Sequence, residues 1–182
     1  MPAAAALPKV AFPAVLKVDS EAVVHKSDAG GVMLDIADEA ALERALAEMS
    51  RRFPGSSFVV QEQCPQGVEV IIGLKREQGV GPVLMFGLGG VYVEVLKDVA
   101  FRLAPLSEGD AARMVRGIRS FPLLSGVRGG PPADVAALER LLISVSQIAV
   151  DLPEITEMDL NPVIVHPRGR GVRAVDVRIK LG

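Results

Sequence analysis

The sequence predicts an α+β protein of two lobes with a ligand cleft between them. Three observations lead there. A hydrophobic share of 49% and a charged share of 23% over 182 residues describe a globular chain, not a disordered one. The first sixty-odd residues read strand, loop, strand, helix, strand, whereas the rest opens with strands in succession and then turns to helices. The change of texture falls at Cys64-Pro65-Gln66-Gly67, which divides the chain into 1–64 and 65–182. A chain of this length can bury about 70% of its unfolded surface, so it needs no disulfide or metal staple.

The elements follow in order. Phe12–Val18 (FPAVLKV) is a short apolar run and is expected to be a buried strand. The polar loop 19–31 leads to a second strand, Val32–Ile36. Asp38 is placed to N-cap a helix, because Leu42, Ala45, Leu46 and Met49 recur at three- and four-residue spacing. Pro54-Gly55 ends it, and Ser57–Gln63 is the third strand. Beyond the divide, Val68–Leu74, Val80–Gly87 and a kinked Val91–Leu103 read as strands. Ser107 with Asp110 three residues on resembles a capping box for a helix to Ile118. Asp134 starts a longer helix in which Leu138, Leu141, Leu142, Val145 and Ile148 form one apolar stripe. The chain closes on a hairpin, Glu157–Ile179, joined by a Pro/Gly/Arg turn.

Composition narrows the function classes. A net charge of -2 with no Lys/Arg run gives no footprint for nucleic acid. The single cysteine, Cys64, cannot form an internal disulfide, which fits a reducing compartment, and the expected location is the cytoplasm. The start MPAAAALPKVAFP is too short and Pro-broken for a secretion signal, and no apolar run approaches a membrane span.

The closing hairpin carries the most chemistry. Asp159 and Asn161 sit two apart on its first strand and so are expected on one face, and an antiparallel return brings Asp176 beside them. Two carboxylates and an amide, with no His or Cys, suit a hard cation such as Mg²⁺, whose remaining ligands are commonly substrate phosphates. Equally, Asn161-Pro162 can be a turn signal and the acids merely solvated. Lys17, near the end of the first strand, can put its charge at a cleft rim or simply snorkel to the surface. The loop VVHKSDAGGV sets His25, Lys26 and Asp28 ahead of Gly30-Gly31. Glycines there allow close backbone approach to phosphate and Lys26 adds charge, although a plain turn explains the glycines as well. His25, one of two histidines, is a candidate nucleophile. In VVQEQCPQGVEV the chain crosses between lobes, where backbone groups released from strand pairing can meet an adenine edge. Glu62 and Glu69 flank that crossing, available to ribose hydroxyls or a metal, or merely solvated. Gly87, Gly89 and Gly90 mark a turn, a bulge or a ligand-facing backbone, with Glu94, Lys97 and Arg102 beyond them.

Taken in order, HKSDAGGV, VVQEQCPQGVEVIIGL, GPVLMFGLGGVYVEVLKDVAFRLAP and EMDLNPVIV…AVDVRI resemble the ATP-grasp subunit of ADP-forming acetyl-CoA synthetases, relatives of the succinyl-CoA ligase β subunit. The resemblance runs from about Phe12 to Ile179. It implies an ATP-grasp fold and an enzyme interconverting acyl-CoA, ADP and phosphate with acid, CoA and ATP. In that family a phosphoryl group passes from an acyl phosphate to a histidine of the CoA-binding partner, then to a histidine of the ATP-grasp subunit, then to ADP. By motif position His25 is the second carrier. Lys17 corresponds to the lysine on the nucleotide phosphates, with Lys26 adding charge. Gln61, Glu62, Gln63 and Cys64 correspond to the hinge over adenine, and Glu69 lies toward the ribose or catalytic end. Asn161 and Asp176, with Asp159, correspond to the Mg²⁺ ligands.

The implied cofactors are ATP/ADP and Mg²⁺. The implied partner is a CoA-binding subunit or domain of the same synthetase, through which the CoA thioester and acid are met, with a homo-oligomer left open. One departure stands out: sixteen residues precede Lys17, where the family carries a longer helical segment. The N-terminal lobe is therefore expected to be truncated. The alternative reading is a non-catalytic or regulatory ATP-grasp module, as in relatives joined to protein acetyltransferases.

Overall fold

The computed structural model describes residues 9–19, 29–90, 97–126 and 130–182. By internal contacts the chain divides into two units, Met1–Gln63 and Cys64–Gly182.

In the first unit, β1 (Ala14–Asp19), β2 (Val32–Ile36) and β3 (Ser57–Glu62) form an antiparallel sheet in the order β2-β1-β3, with α1 (Glu39–Arg52) between β2 and β3 in sequence. The strand expected from Phe12 begins at Ala14. Asp38 caps α1 as its spacing predicts: its carboxylate accepts the Ala41 N–H at 2.7 Å. Leu42, Ala45 and Met49 of α1 are buried with Ala14, Leu16, Val18 and Ile36, so one face of the sheet holds the core. Each fully buried Leu or Met there stabilises the unit by about 1.5–3 kcal/mol. Lys17 pairs with Val59 in β3 and Gln61 pairs with Val15, which puts Lys17 and Gln61 on the other face.

β2 contains a bulge. Ala14 pairs with Ile36 and Leu16 with Met33, so β2 advances three residues while β1 advances two. Asp35 lies in this stretch at φ 57, a conformation that Asp tolerates better than most residues. Its N–H, released from the ladder, donates to the Gln63 side-chain oxygen at 2.6 Å, and the Gln63 amide donates back to Asp35 Oδ1 at 2.7 Å.

The second unit is one antiparallel sheet with its helices in a common core. Its strands are β4 (Val68–Glu77), β5 (Gly81–Leu88), β6 (Val99–Leu103), β7 (Ile155–Val165), β8 (Val172–Ala174) and β9 (Val177–Leu181). The order is β6-β5-β4-β7-β8, with β9 also on β7. α2 (Glu108–Arg116), a 3₁₀ turn (Phe121–Ser125) and α3 (Val135–Asp151) supply Met114, Leu124, Leu138 and Leu142, which are buried with Ile72, Phe86, Leu160 and Val163 of the sheet. Alternate residues lie on the opposite face, among them Gly73 and Lys75 of β4 across from Asp159 and Glu157 of β7.

The capping box is present: Ser107 accepts the Asp110 N–H while Asp110 accepts the Ser107 N–H at 3.1 Å. The α3 stripe differs from expectation at its end. Ile148 is 36% exposed and Ala149 takes the buried place, since 138, 142, 145 and 149 follow the 3.6-residue turn and 148 drifts off it. Val80 lies in the turn before β5; of the strand expected over Val91–Leu103, residues 91–96 lie outside the description, Lys97 and Asp98 are not in a strand, and Val99–Leu103 form β6. Among the described residues no helix is long and apolar enough to cross a membrane.

Candidate functional site

The closing hairpin is built from three strand segments, not two. β8 and β9 are separated at Val175-Asp176, and the break matches an irregularity in β7. Ile72 pairs with Leu160 and Val70 with Val163, so Asn161 and Pro162 together face one residue of β4. The two-residue alternation that places Asn161 with Asp159 holds through the buried Leu160 and ends at Asn161, where this irregularity begins. A more direct link joins Asn161 to the return strand: the Asn161 N–H donates to the Asp176 carbonyl at 3.1 Å, and the Val175 N–H to the Pro162 carbonyl at 3.0 Å. Asn161 and Asp176 are thus directly opposed across the strand break. Asp159 is one step further along, paired with Arg178 of β9. Directly opposed residues have Cβ atoms about 4.5–5.5 Å apart, within the span of a shared cation. Among the described residues no three His, Cys, Asp or Glu side chains gather as a metal cluster. The oxygen set here counts two carboxylates and one amide, a donor chemistry that fits Mg²⁺ or Ca²⁺ and not a soft metal.

At the start of β4, Glu69 borders a cavity of about 810 Å³ lined by Gly67, Leu88, Gly89, Gly90, Val165 and Pro167 among others. Glycine is required at one of these positions and fits tightly at another. A Cβ on Gly67 would lie 2.5 Å from the Val165 carbonyl oxygen, and one on Gly89 about 3.2 Å from the Glu69 backbone, whose carbonyl the Gly89 N–H meets at 2.8 Å. The Glu69 carboxylate lies 3.8 Å from where a Gly90 Cβ would be. Among the described residues of this lining, Glu69 is the one that carries a charge.

The crossing residues fare unequally. Gln61 and Glu62 close β3, an edge strand, so one row of its backbone groups faces away from β1. Glu62 pairs with Ala14 and so lies on the α1 side, opposite to Gln61. Gln63 is committed inside the first unit: its N–H donates to the Pro13 carbonyl at 2.8 Å, and its side chain holds Asp35. Of its backbone groups, the carbonyl is the one without a partner among the backbone hydrogen bonds of the described residues. Cys64 lies with its sulfur 3.7 Å from His166 Nε2. His25, Lys26 and Asp28, and likewise Glu94, lie outside the described residues.

Sequence reasoning identified Asp134 as a helix start but missed what else this buried side chain holds. Asp134, 6% exposed, caps α3 through the Ala137 N–H at 3.1 Å, as expected. Its other carboxylate oxygen accepts the N–H groups of both Gly169 and Gly171 at 2.9 Å. Its own N–H donates to the His166 carbonyl at 2.8 Å. The Gly171 N–H, with those of Ala137 and Gly169 and the Arg140 charge, holds the carboxyl below its ordinary range against the opposing effect of burial. Two glycines at φ 80 and 77, alternating with arginines in the turn, were the available hint that the backbone there is held from outside.

Comparison with known proteins places this geometry. The family model for the ATP-grasp domain matches residues 1–181. The chain is 40% identical over 180 residues to acetate–CoA ligase [ADP-forming] I subunit beta of Pyrococcus furiosus, covering 95% of this chain and 77% of that one. It is 46% identical over 179 residues to acetate–CoA ligase [ADP-forming] I of Archaeoglobus fulgidus, of which it spans 26%. Among solved structures, the dinucleotide-forming acetyl-coenzyme A synthetase 1 of Ca. Korarchaeum cryptofilum, in complex with coenzyme A, Ca-AMPCP and HgCl⁺, superposes with a TM-score of 0.87 at 47% identity. The match covers 94% of this chain and 77% of that one. The same synthetase has been solved with coenzyme A and Mg-AMPPCP, its phosphohistidine segment pointing towards the nucleotide binding site. The chain belongs to the ATP-grasp domain family, with the beta subunits of ADP-forming acetate–CoA ligases among its relatives.

Proposed function

We propose that this chain is the ATP-grasp part of an ADP-forming acyl-CoA synthetase, passing a phosphoryl group between a histidine and ADP. The observation that carries the reading is the opposition of Asn161 and Asp176 across the hairpin break, an amide and a carboxylate whose oxygens suit a hard cation. Likeness to a beta subunit over most of its length gives that opposition its chemical context.

In this reading Lys17 and Gln61, on the face of the first sheet away from α1, meet the nucleotide phosphates and the edge of the base. The crossing from Gln61 through Glu62 and Gln63 to Cys64 lies along adenine, and Glu69 faces the ribose or the reacting end. Asn161 and Asp176, with Asp159, hold Mg²⁺, which neutralises phosphate charge when bound. His25 carries the phosphoryl group on an imidazole nitrogen, with Lys26 beside it. Transfer breaks the N–P bond, its electron pair returns to the imidazole, and an oxygen of the ADP terminal phosphate forms the new P–O bond. Such a transfer needs little beyond alignment and fixed positive charge, which is what lysines and a metal on rigid strands provide. The CoA thioester and the acid are handled by a CoA-binding partner, and the synthetase works in the cytoplasm, a location supported by the low cysteine content, one in 182 residues.

Incubation with ATP and Mg²⁺, followed by detection of acid-labile phosphate, tests the proposal in wild type and His25→Ala. Label is expected in the wild type and absent from the variant, with ADP binding kept in both. Label that survives the substitution removes His25 as carrier. Nucleotide binding with no label in the wild type selects the regulatory module instead.

A further inference from the structure

The helix-covered face of the second sheet ends differently at its two edges. Paired residues of neighbouring antiparallel strands share a face, so the register draws rows of side chains across the sheet. One row runs Arg102, Leu84, Leu74, Met158, Ile179, and the next runs Ala100, Phe86, Ile72, Leu160, Val177. The three middle members of each row are buried. At β6 the rows finish in a charged and a small side chain, which suits an edge that faces water. At β9 they finish in Ile179, 53% exposed, and Val177, 47% exposed, with Leu181 at 65% beside them. The helices explain why. α2 packs on β5 and β6, and α3 on β4, β5, β7 and β8. Ser146 of α3 is turned toward the start of α2, where its hydroxyl accepts the Leu106 N–H. Ile148, two residues and about 200° further round, is therefore turned away from α2 and toward the β9 edge, and Leu152 follows one turn later. Both are exposed. Five aliphatic side chains from two elements thus line a bare strip where the helix layer stops short of the last strand.

We infer that two copies of this chain associate through this strip, β9 against β9 of the second copy about a twofold axis. Among the described residues no strand lies beyond β9, so its outer edge is open to a further strand. Antiparallel pairing centred on Ile179 sets Ile179 beside its own mate and Val177 beside Leu181 of the second copy, the self-complementary match that a twofold requires. On the other face Arg178 then falls beside Lys180 of the second copy. Each of these cations is already opposed by an acid of its own chain: Asp159 stands across from Arg178, and Lys180 Nζ lies 3.2 Å from Glu157. The junction therefore brings together balanced pairs and not bare cations. Area agrees. Five side chains bared to this degree expose on the order of 300 Å² of apolar surface per copy. Two copies supply most of the apolar part of a standard interface, which buries about 1,600 Å² and is a little over half apolar. Phe101 and Leu103 of β6 are as exposed but belong to the opposite face, in the rows of Asp159 and Glu157, so they do not extend the strip. The inference does not depend on the function proposed above.

The test uses the full chain, its mass measured by light scattering and its dimer dissociation constant by sedimentation equilibrium. Wild type is expected to dimerise, and Ile179→Arg to raise the dissociation constant by about tenfold or more. Leu103→Arg, a charge on an equally exposed residue of the other edge, is expected to leave it unchanged. Ile179→Cys checks the register without a disruptive charge. Mild oxidation should join position 179 of one copy to position 179 of the other, a bridge identified by peptide mass and distinct from one to Cys64. A wild-type chain that stays monomeric overturns the inference and leaves the proposed function standing. A dimer as tight in Ile179→Arg as in wild type, or one whose position 179 bridges only to Cys64, overturns it too. A monomeric wild type that binds a CoA-binding chain, and loses it in Ile179→Arg, rejects the twofold and assigns the strip to that partner.

Discussion

Replacing Asp134 with alanine removes the acceptor of three N–H groups at once, those of Ala137, Gly169 and Gly171. Hydrogen bonds to a charged group contribute about 1.5–3 kcal/mol each, and losing an N-cap costs about 1 kcal/mol. The simple sum overshoots, because a turn set loose can turn its amides to water. The expected loss is about 3–5 kcal/mol, in the range reserved for broken buried networks. Asp134→Asn separates charge from shape. An amide has one oxygen, so it can satisfy the two glycines or the Ala137 amide but not both, and about 1.5–3 kcal/mol is expected to be lost. The measurement is hydrogen exchange at the amides of 137, 169 and 171, which reads the second unit locally, alongside urea unfolding. Acid sharpens it. The folded carboxyl titrates below its ordinary value, so its contribution is complete above about pH 3.9 and is lost as pH falls through the lower folded value. The gap between wild type and Asp134→Asn should therefore narrow in acid. An alanine variant within about 1 kcal/mol of wild type, or a gap that stays constant into acid, would refute the reasoning.

Three further outcomes are expected. Gln63→Leu strands the Asp35 N–H in its bulge and should cost about 1 kcal/mol in chemical unfolding of the first unit, the site being exposed. An effect no larger than that of a distant surface substitution would show that water replaces the amide. The Ser107 hydroxyl, then the Ser107 N–H and Arg113, lower the Asp110 carboxyl to about 2. A carbon-detected titration should find it there, and in Ser107→Ala it should move up, so that the contribution lost between the unfolded value and about 2 is lost at higher pH instead. Gly67→Ala puts a methyl 2.5 Å from the Val165 carbonyl oxygen and 2.7 Å from Ile164 Cγ2, and should cost about 1–3 kcal/mol, read as a lower melting temperature. An unchanged melting temperature would mean that the start of β4 shifts freely.

The parts legible in the sequence were those whose cause is local. Asp38, Ser107 and Asp134 announce helix starts because each cap closes on an amide three residues away. The strands Val32–Ile36 and Ser57–Glu62 announce themselves by short apolar runs between breakers. What was not legible depends on partners far along the chain. Asp35 and Gln63 are 28 residues apart, Asp134 and Gly171 are 37 apart, and no periodicity connects them. The bulge at Asn161-Pro162 is hidden for another reason. An extra residue leaves composition untouched but breaks the alternation from which facing is inferred. The bulge ends the alternation just beyond Asp159 and Asn161, so facing can be inferred from it as far as Asn161.

The structural commitments of the candidate residues also separate them as chemical agents. A side chain that already satisfies a strained or buried amide is not free to meet a ligand without leaving that amide exposed, at about 1–3 kcal/mol. By this criterion Gln63 is occupied, its amide held by the bulge at Asp35, and Asp134 is occupied three times over. Asp159 stands across from Arg178, so any cation bound there shares its surroundings with a guanidinium. Asn161 and Asp176 differ: the contact that brings them together runs through the Asn161 N–H and the Asp176 carbonyl, using backbone and not side chain. The fold thus holds this pair in register with groups that play no part in coordination. In the function we propose, that division of labour favours Asn161 and Asp176 over Asp159 as cation ligands, because ligand exchange there leaves the strand pairing intact.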